Sequence, residues 1–182
     1  MRCQSVPVDL HTERLTIRDW RRDDAERVLA TLGRDDVMRW LGDEPHAVLT
    51  DLDQARQSIE RWTALSSTPP LGCWAVESTA TGEVLGAVLL LVLPHGTEDE
   101  VEIGWWLHPD AWGHGYATEA ARAVLAHGFT AGLPQILAVT LPGNEPSNRV
   151  CRRLGMSEEG VVHRWYDADM LLFRALPPQG RP

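Results

Sequence analysis

Residues 101–131, VEIGWWLHPDAWGHGYATEAARAVLAHGFTA, leave this chain few ways to fold. Val101 to Leu107 is short and rich in β-branched and aromatic residues, which predicts a strand. His108-Pro109 ends it, because proline removes a ladder donor and restricts the residue before it. Trp112-Gly113-His114-Gly115 then makes a tight turn directly into a helix. Ala117, Ala120, Ala121, Val124, Leu125 and Gly128 recur on that helix at spacings of three and four, so its buried face is narrow and lined by small residues. The N-terminus of such a helix carries free N–H groups and partial positive charge, and two glycines let an anion come close to them. No basic side chain lies between Gly113 and Ala121, so the main chain would have to hold the anion. Two familiar phosphate loops fit badly. The dinucleotide fingerprint needs a third glycine where Thr118 stands, and the Walker loop needs a Gly-Lys-Ser/Thr that is absent. Taken alone, the turn is also what an ordinary strand-to-helix connection looks like.

The flanking sequence supplies partners for that unit. Leu15, Ile17 and Trp20 mark a first strand, with Thr16 and Arg18 on its opposite face. Asp23 or Asp24 can cap a helix reaching about Leu32. A short helix over Val37 to Leu41 is stopped by Gly42 and Pro45. A longer one begins at Asp51, with Leu52, Ala55, Ile59 and Trp62 on one face, and Ser66 to Pro70 breaks it. Gly72 to Glu77 and Glu83 to Leu93 read as strands joined by a turn at Ser78 to Gly82. Beyond the central helix, Gln135 to Leu141 reads as a strand and Pro146 to Leu154 as a helix. Gly160 to Trp165 and Met170 to Leu176 read as a hairpin through Tyr166 to Asp169. Residues 177–182 should be a loose tail. The order predicts one α+β domain over residues 1–182 with a mostly antiparallel sheet.

Bulk properties narrow the function. A chain of 182 residues suits one domain. No run resembles a signal peptide or reaches membrane-spanning length. Cys3, Cys73 and Cys151 are odd in number and widely spaced, which argues for a reducing cytoplasm and against a disulfide framework. The seven histidines form no metal-binding spacing, so no metal is expected. A formal net charge of −9 makes nucleic acid a poor partner and a cationic amine a slightly better one.

Read whole, the central stretch resembles the GNAT superfamily of N-acetyltransferases, whose coenzyme loop follows Gln/Arg-x-x-Gly-x-Gly/Ala. Trp112, Gly115 and Ala117 fall on the three fixed positions, with Trp112 departing from the usual Gln or Arg. Gly-Tyr-Ala-Thr-Glu-Ala over residues 115–120 is typical of the ribosomal-protein-acetylating, RimJ/RimL-like branch. Asn144 to Met156 resembles the family's Asn-x-x-Ser/Ala…Gly-Phe segment, and Thr12 to Arg18 resembles the first strand of that branch. The resemblance runs from about Leu10 to Leu176. It implies a twisted, mixed sheet with helices on both faces. The central strand and the strand after the long helix splay apart, and acetyl-coenzyme A enters between them.

It also implies roles. Gly113, His114, Gly115, Tyr116, Ala117 and Thr118 would surround the pyrophosphate through main-chain N–H groups. Trp105, Trp106 and Leu107 would pair with the pantetheine amides as an added strand does. Asn144 resembles a coenzyme-side asparagine, and it is equally a plain helix cap. Glu102 matches the general base of histone-acetylating members, given a raised pKa that Asp99 and Glu100 could supply. Ser147 matches the serine acid of RimL-like members, and Cys151 stands where many relatives carry a tyrosine acid. Met38 to Pro45, Pro69 to Trp74 and Arg164 to Tyr166 would select the acceptor, with Trp40, Trp74, Trp105 and Trp165 as candidate pocket walls. The acceptor is a protein N-terminus or a small amine; the competing reading is a non-catalytic acyl-coenzyme A sensor. Many relatives dimerise, and the sequence leaves the oligomeric state open.

Overall fold

A computed structural model describes residues 8–41 and 47–178. Eight strands form one sheet: β1 (Asp9–His11), β2 (Leu15–Arg18), β3 (Gly72–Ser78), β4 (Val84–Val92), β5 (Val101–Leu107), β6 (Ile136–Thr140), β7 (Ser157–Val162) and β8 (Met170–Ala175). Their order is β1-β2-β3-β4-β5-β6-β8-β7, antiparallel throughout except between β5 and β6. The α-helices are α1 (Ala25–Leu32), α2 (Asp35–Met38), α3 (Leu52–Leu65), α4 (Tyr116–Thr130) and α5 (Glu145–Arg153).

Two apolar layers sandwich the sheet. On one face Val101, Ile103 and Leu107 of β5 pack with Ala120, Ala121, Val124 and Leu125 of α4. On the other, Trp106 joins Val28 of α1 and Ala55 and Ile59 of α3. There Trp20, Trp62 and Trp106 gather with ring centroids 4.9–5.8 Å apart. This alternation along β5 is the two-residue period of a strand buried on both faces. Gly128 explains how closely α4 lies on the sheet, since an added Cβ there would stand 2.8 Å from Ile136 Cδ1.

Three expectations need correcting. Asp24 does stand at the N-cap of α1, but its side chain does not cap that helix: the carboxylate receives the buried Arg18 guanidinium at 2.8 and 3.0 Å and the Arg21 backbone N–H at 2.7 Å, and Arg18 also reaches Glu77 at 2.7 Å. β1 was unmarked, being three residues at a sheet edge. β7 begins at Ser157 and ends at Val162, earlier than its apolar residues suggest. Its polar start is held from outside, with Glu158 on Arg152 and Glu159 on Arg174. A register shift between Glu158 and Gly160, with Gly160 at φ +95°, breaks its alternation.

Candidate functional site

β5 and β6 part almost at once. Their parallel pairing is confined to Glu102 opposite Leu137, and beyond it β5 runs on toward the glycine turn with no strand on that side among the described residues. His108 N–H donates across to Leu85 O of β4 at 2.8 Å. Backbone groups alternate along a strand, so Trp106 also faces β4 while Trp105 and Leu107 face the opening. The pairing edge expected of residues 105–107 is therefore Trp105 and Leu107. Trp106 turns its backbone to β4 and its indole into the tryptophan cluster.

At the far end of β5 the turn adopts the form that close anion approach requires. Gly113 and Gly115 have φ of +80° and +82°, in the left-handed region that glycine enters freely, and an added Cβ at Gly113 would meet nothing within 4 Å. Gly115 is the N-cap of α4 and offers no side-chain cap, which leaves the first-turn N–H groups to a ligand. Thr118 in that turn is buried, and its Oγ1 has no hydrogen-bond partner among the described residues. The uncapped helix start is what a bound phosphate would satisfy. Trp112, exposed beside them, donates its indole N–H to Leu107 O at 2.9 Å and so ties the loop to the strand end.

A cation does stand at this loop, brought from 100 residues away. Arg14, just before β2, donates to His114 O at 3.0 Å and lies 4.7 Å over the Tyr116 ring. Its Nε–H meets Glu119 Oε2 at 2.8 Å, and Thr12 donates to Glu119 Oε1 at 2.6 Å. Burial opposes the Glu119 charge, but the hydrogen bonds from Thr12 and Arg14 win and hold its pKa low. Local sequence around the turn gave no sign of Arg14; its one signal was the Thr12–Arg18 resemblance, which carries no position.

At the near end of β5, Glu102 is half-buried and receives the Tyr166 hydroxyl at 2.8 Å. Burial pushes its carboxyl up to about 7, with the tyrosine hydrogen bond pulling the other way. The expected cause, repulsion from Asp99 and Glu100, is not what raises it. Glu100 is held low by the Thr97 backbone N–H, and Arg164 sits on it at 2.5 Å.

The remaining candidates sort by burial. Asn144 is the cap of α5, its Oδ1 accepting from Ser147 N–H at 3.3 Å. Ser147 is partly exposed in the first turn of α5. Cys151 lies wholly within the main core, where burial pushes its thiol up to about 12, so it does not reach the opening. Trp74 is likewise a core residue with no exposure. Trp105 packs partly buried against that core, and Trp165 against Leu93 and Leu172. Trp40 is half-buried under the Arg39 guanidinium, and the selectivity segment following it, residues 42–45, lies outside the described residues. Asn148 was overlooked. Buried on α5, it accepts from Thr140 Oγ1 at 2.6 Å and donates to Pro142 O at 3.2 Å, fixing the turn that borders the opening. A polar residue within a buried helical face was its available signal.

Comparison with known proteins decides the family. The acetyltransferase (GNAT) domain matches residues 14–157. The chain belongs to the GNAT acetyltransferase family. It is 32% identical over 157 residues to the uncharacterized N-acetyltransferase YoaA of Bacillus subtilis, covering 86% of each chain. A GNAT-family acetyltransferase from Bacillus anthracis superposes with a TM-score of 0.80 at 26% identity, over 94% of this chain and 100% of that one. RimJ of Mycobacterium smegmatis, solved with coenzyme A disulfide, has the same fold (TM-score 0.75, 23% identity, 95% and 89% covered). The chain is therefore an acetyl-coenzyme A-dependent acetyltransferase, and the splayed sheet is the GNAT fold. Among the described residues no helix is long and apolar enough to cross a membrane, and no group of three or more His, Cys, Asp or Glu could hold a metal ion.

Proposed function

We propose that the protein moves an acetyl group from acetyl-coenzyme A to a primary amine by direct attack, with both substrates bound at once. The coenzyme thioester supplies the activated acyl group; everything else is asked of this chain. Gly113 to Thr118 hold the pyrophosphate through main-chain N–H groups, and Arg14 fixes the loop from outside. Trp105 and the Leu107 N–H pair with the pantetheine arm, which carries the thioester toward Glu102. Fixing both reactants in this way is worth roughly 7–11 kcal/mol of the barrier.

Glu102 takes the proton from the incoming ammonium. The observation that carries this reading is the half-buried carboxyl at the fork of β5 and β6, hydrogen-bonded by Tyr166 and raised to about 7. A base poised near neutral pH is partly ionised and still strong enough to accept a proton. Ser147, partly exposed at the start of α5, is the proposed donor to the leaving thiolate. Cys151 is set aside because its thiol is sealed in the core. The acceptor is a protein N-terminus or a small amine. Free-thiol release on a panel of N-terminal peptides, polyamines and amino-sugar amines, run with wild type and Glu102→Gln, tests both points. Turnover on one class that collapses in the variant supports the reading. Turnover that survives removes Glu102 as the base, and binding with no turnover on any amine would favour an acyl-coenzyme A sensor.

A further inference from the structure

The turn between β7 and β8, residues 163–169, reaches back over the start of β5 at two points. Arg164 pairs with Glu100 at 2.5 Å, and Tyr166 donates to Glu102 Oε1 at 2.8 Å. Between them Trp165 takes φ +71°, a conformation that a bulky residue enters only when its surroundings insist. Its ring lies under the Arg164 guanidinium at 4.6 Å and packs with Val139, Val162 and Tyr166 against Leu93, Leu137 and Leu172. The strained residue is thus clamped by an ion pair on one side and a hydrogen bond to the candidate base on the other.

We propose that Tyr166 is a positioning residue for Glu102: its hydroxyl aims the carboxylate into the fork of β5 and β6, and couples its basicity to seating of the 163–169 turn. The inference rests on the reading of Glu102 as the base. A donor to a carboxylate favours the charged form. Tyr166 therefore opposes the burial that raises Glu102 and keeps an ionised fraction available at neutral pH. Glu100 and His163, two charged groups near the carboxylate, have partners of their own. Glu100, just before β5, is held by Arg164, and on the turn His163 pairs with Asp169 at 3.1 Å and lies 4.0 Å from Asp167. Its register partners on β4 and β6, Leu91 and Leu137, are apolar. The phenol is therefore the group through which the turn can tune the base.

The test is a carboxyl titration of the whole, substrate-free protein, labelled with δ-carbon-13 glutamate and followed by NMR from acid to alkaline pH. The Glu102 signal is assigned by its absence in Glu102→Gln. Tyr166→Phe keeps the ring and should move the Glu102 midpoint up by about one unit, a tenfold change in its ionisation equilibrium. Replacing tyrosine by 3-fluorotyrosine strengthens the donor without altering the packing, and the chain has two tyrosines, Tyr116 and Tyr166. In a Tyr116→Phe background that replacement should move the midpoint down. A midpoint unmoved by either change, or moved in the opposite direction, overturns the proposal. Failure of the base reading looks different: Glu102→Gln would keep its turnover while the titration shifts stood.

Discussion

The two ends of β5 are built on opposite principles. The Leu107 end is local in its backbone: strand, turn and helix follow one another within residues 101–130, and two left-handed glycines carry the conformation, with Arg14 added from afar. The Glu102 end is assembled from afar, with a carboxylate on β5, its hydrogen-bond donor 64 residues on, and a strained tryptophan between the clamps. A loop proposed to bind through its main chain should tolerate side-chain change but not backbone change. A proposed base whose strength comes from burial should be sensitive to single atoms. The two ends should therefore fail separately when damaged.

The largest effect falls on turnover. Glu102→Gln should lower the rate by about 10²–10⁴-fold, the usual contribution of a positioned base, with acetyl-coenzyme A affinity unchanged in calorimetry. The same substitution should stabilise the fold above neutral pH. A carboxyl at about 7 when folded, against 4.5 for an unperturbed glutamate, binds protons more readily in the native state. Wild type therefore loses stability as pH rises from about 4.5 to 7, by the order of 3 kcal/mol. Chemical denaturation at pH 8 should show the glutamine variant more stable by up to that amount, and at pH 4 the two should agree.

Next comes the opposite pattern. Gly115→Val forces a β-branched residue to φ +82°, where even unbranched side chains lose about 1–2 kcal/mol. Acetyl-coenzyme A should bind at least tenfold more weakly, while the Glu102 midpoint stays near 7. A smaller change is expected from Arg14→Ala. It removes the contacts to His114 O, Tyr116 and Glu119 but leaves the glycines in place, so affinity should fall by about three- to fivefold, near 1 kcal/mol for a half-exposed pair. Smallest is Trp112→Phe. It frees one carbonyl, Leu107 O, beside an exposed ring where water can replace the indole, and should change affinity by about twofold or less.

Legibility in the sequence follows the same division. The strand, the turn, α4 and its narrow apolar face were readable because their determinants are adjacent: Pro109 as stop, Gly113 and Gly115 as turn, and small residues every third or fourth position. The splay was available only through family resemblance, because it depends on how far β6 travels beside β5. Arg14 and Tyr166 were opaque for a related reason. Each meets its partner across 64 or more residues, and no local pattern encodes such a pairing. Trp106 and Cys151 were placed at the site on motif position alone, and the two-residue alternation of β5 and the buried face of α5 carry both side chains into apolar layers. Asn144 shows the limit most sharply, since a helix cap and a coenzyme contact ask for the same residue at the same place.

The most direct test of separable ends is a calorimetric titration of acetyl-coenzyme A into Glu102→Gln alongside wild type. The division of β5 requires binding to both with dissociation constants within about twofold. Failure of wild type to bind, or a tenfold loss in the variant, would contradict it.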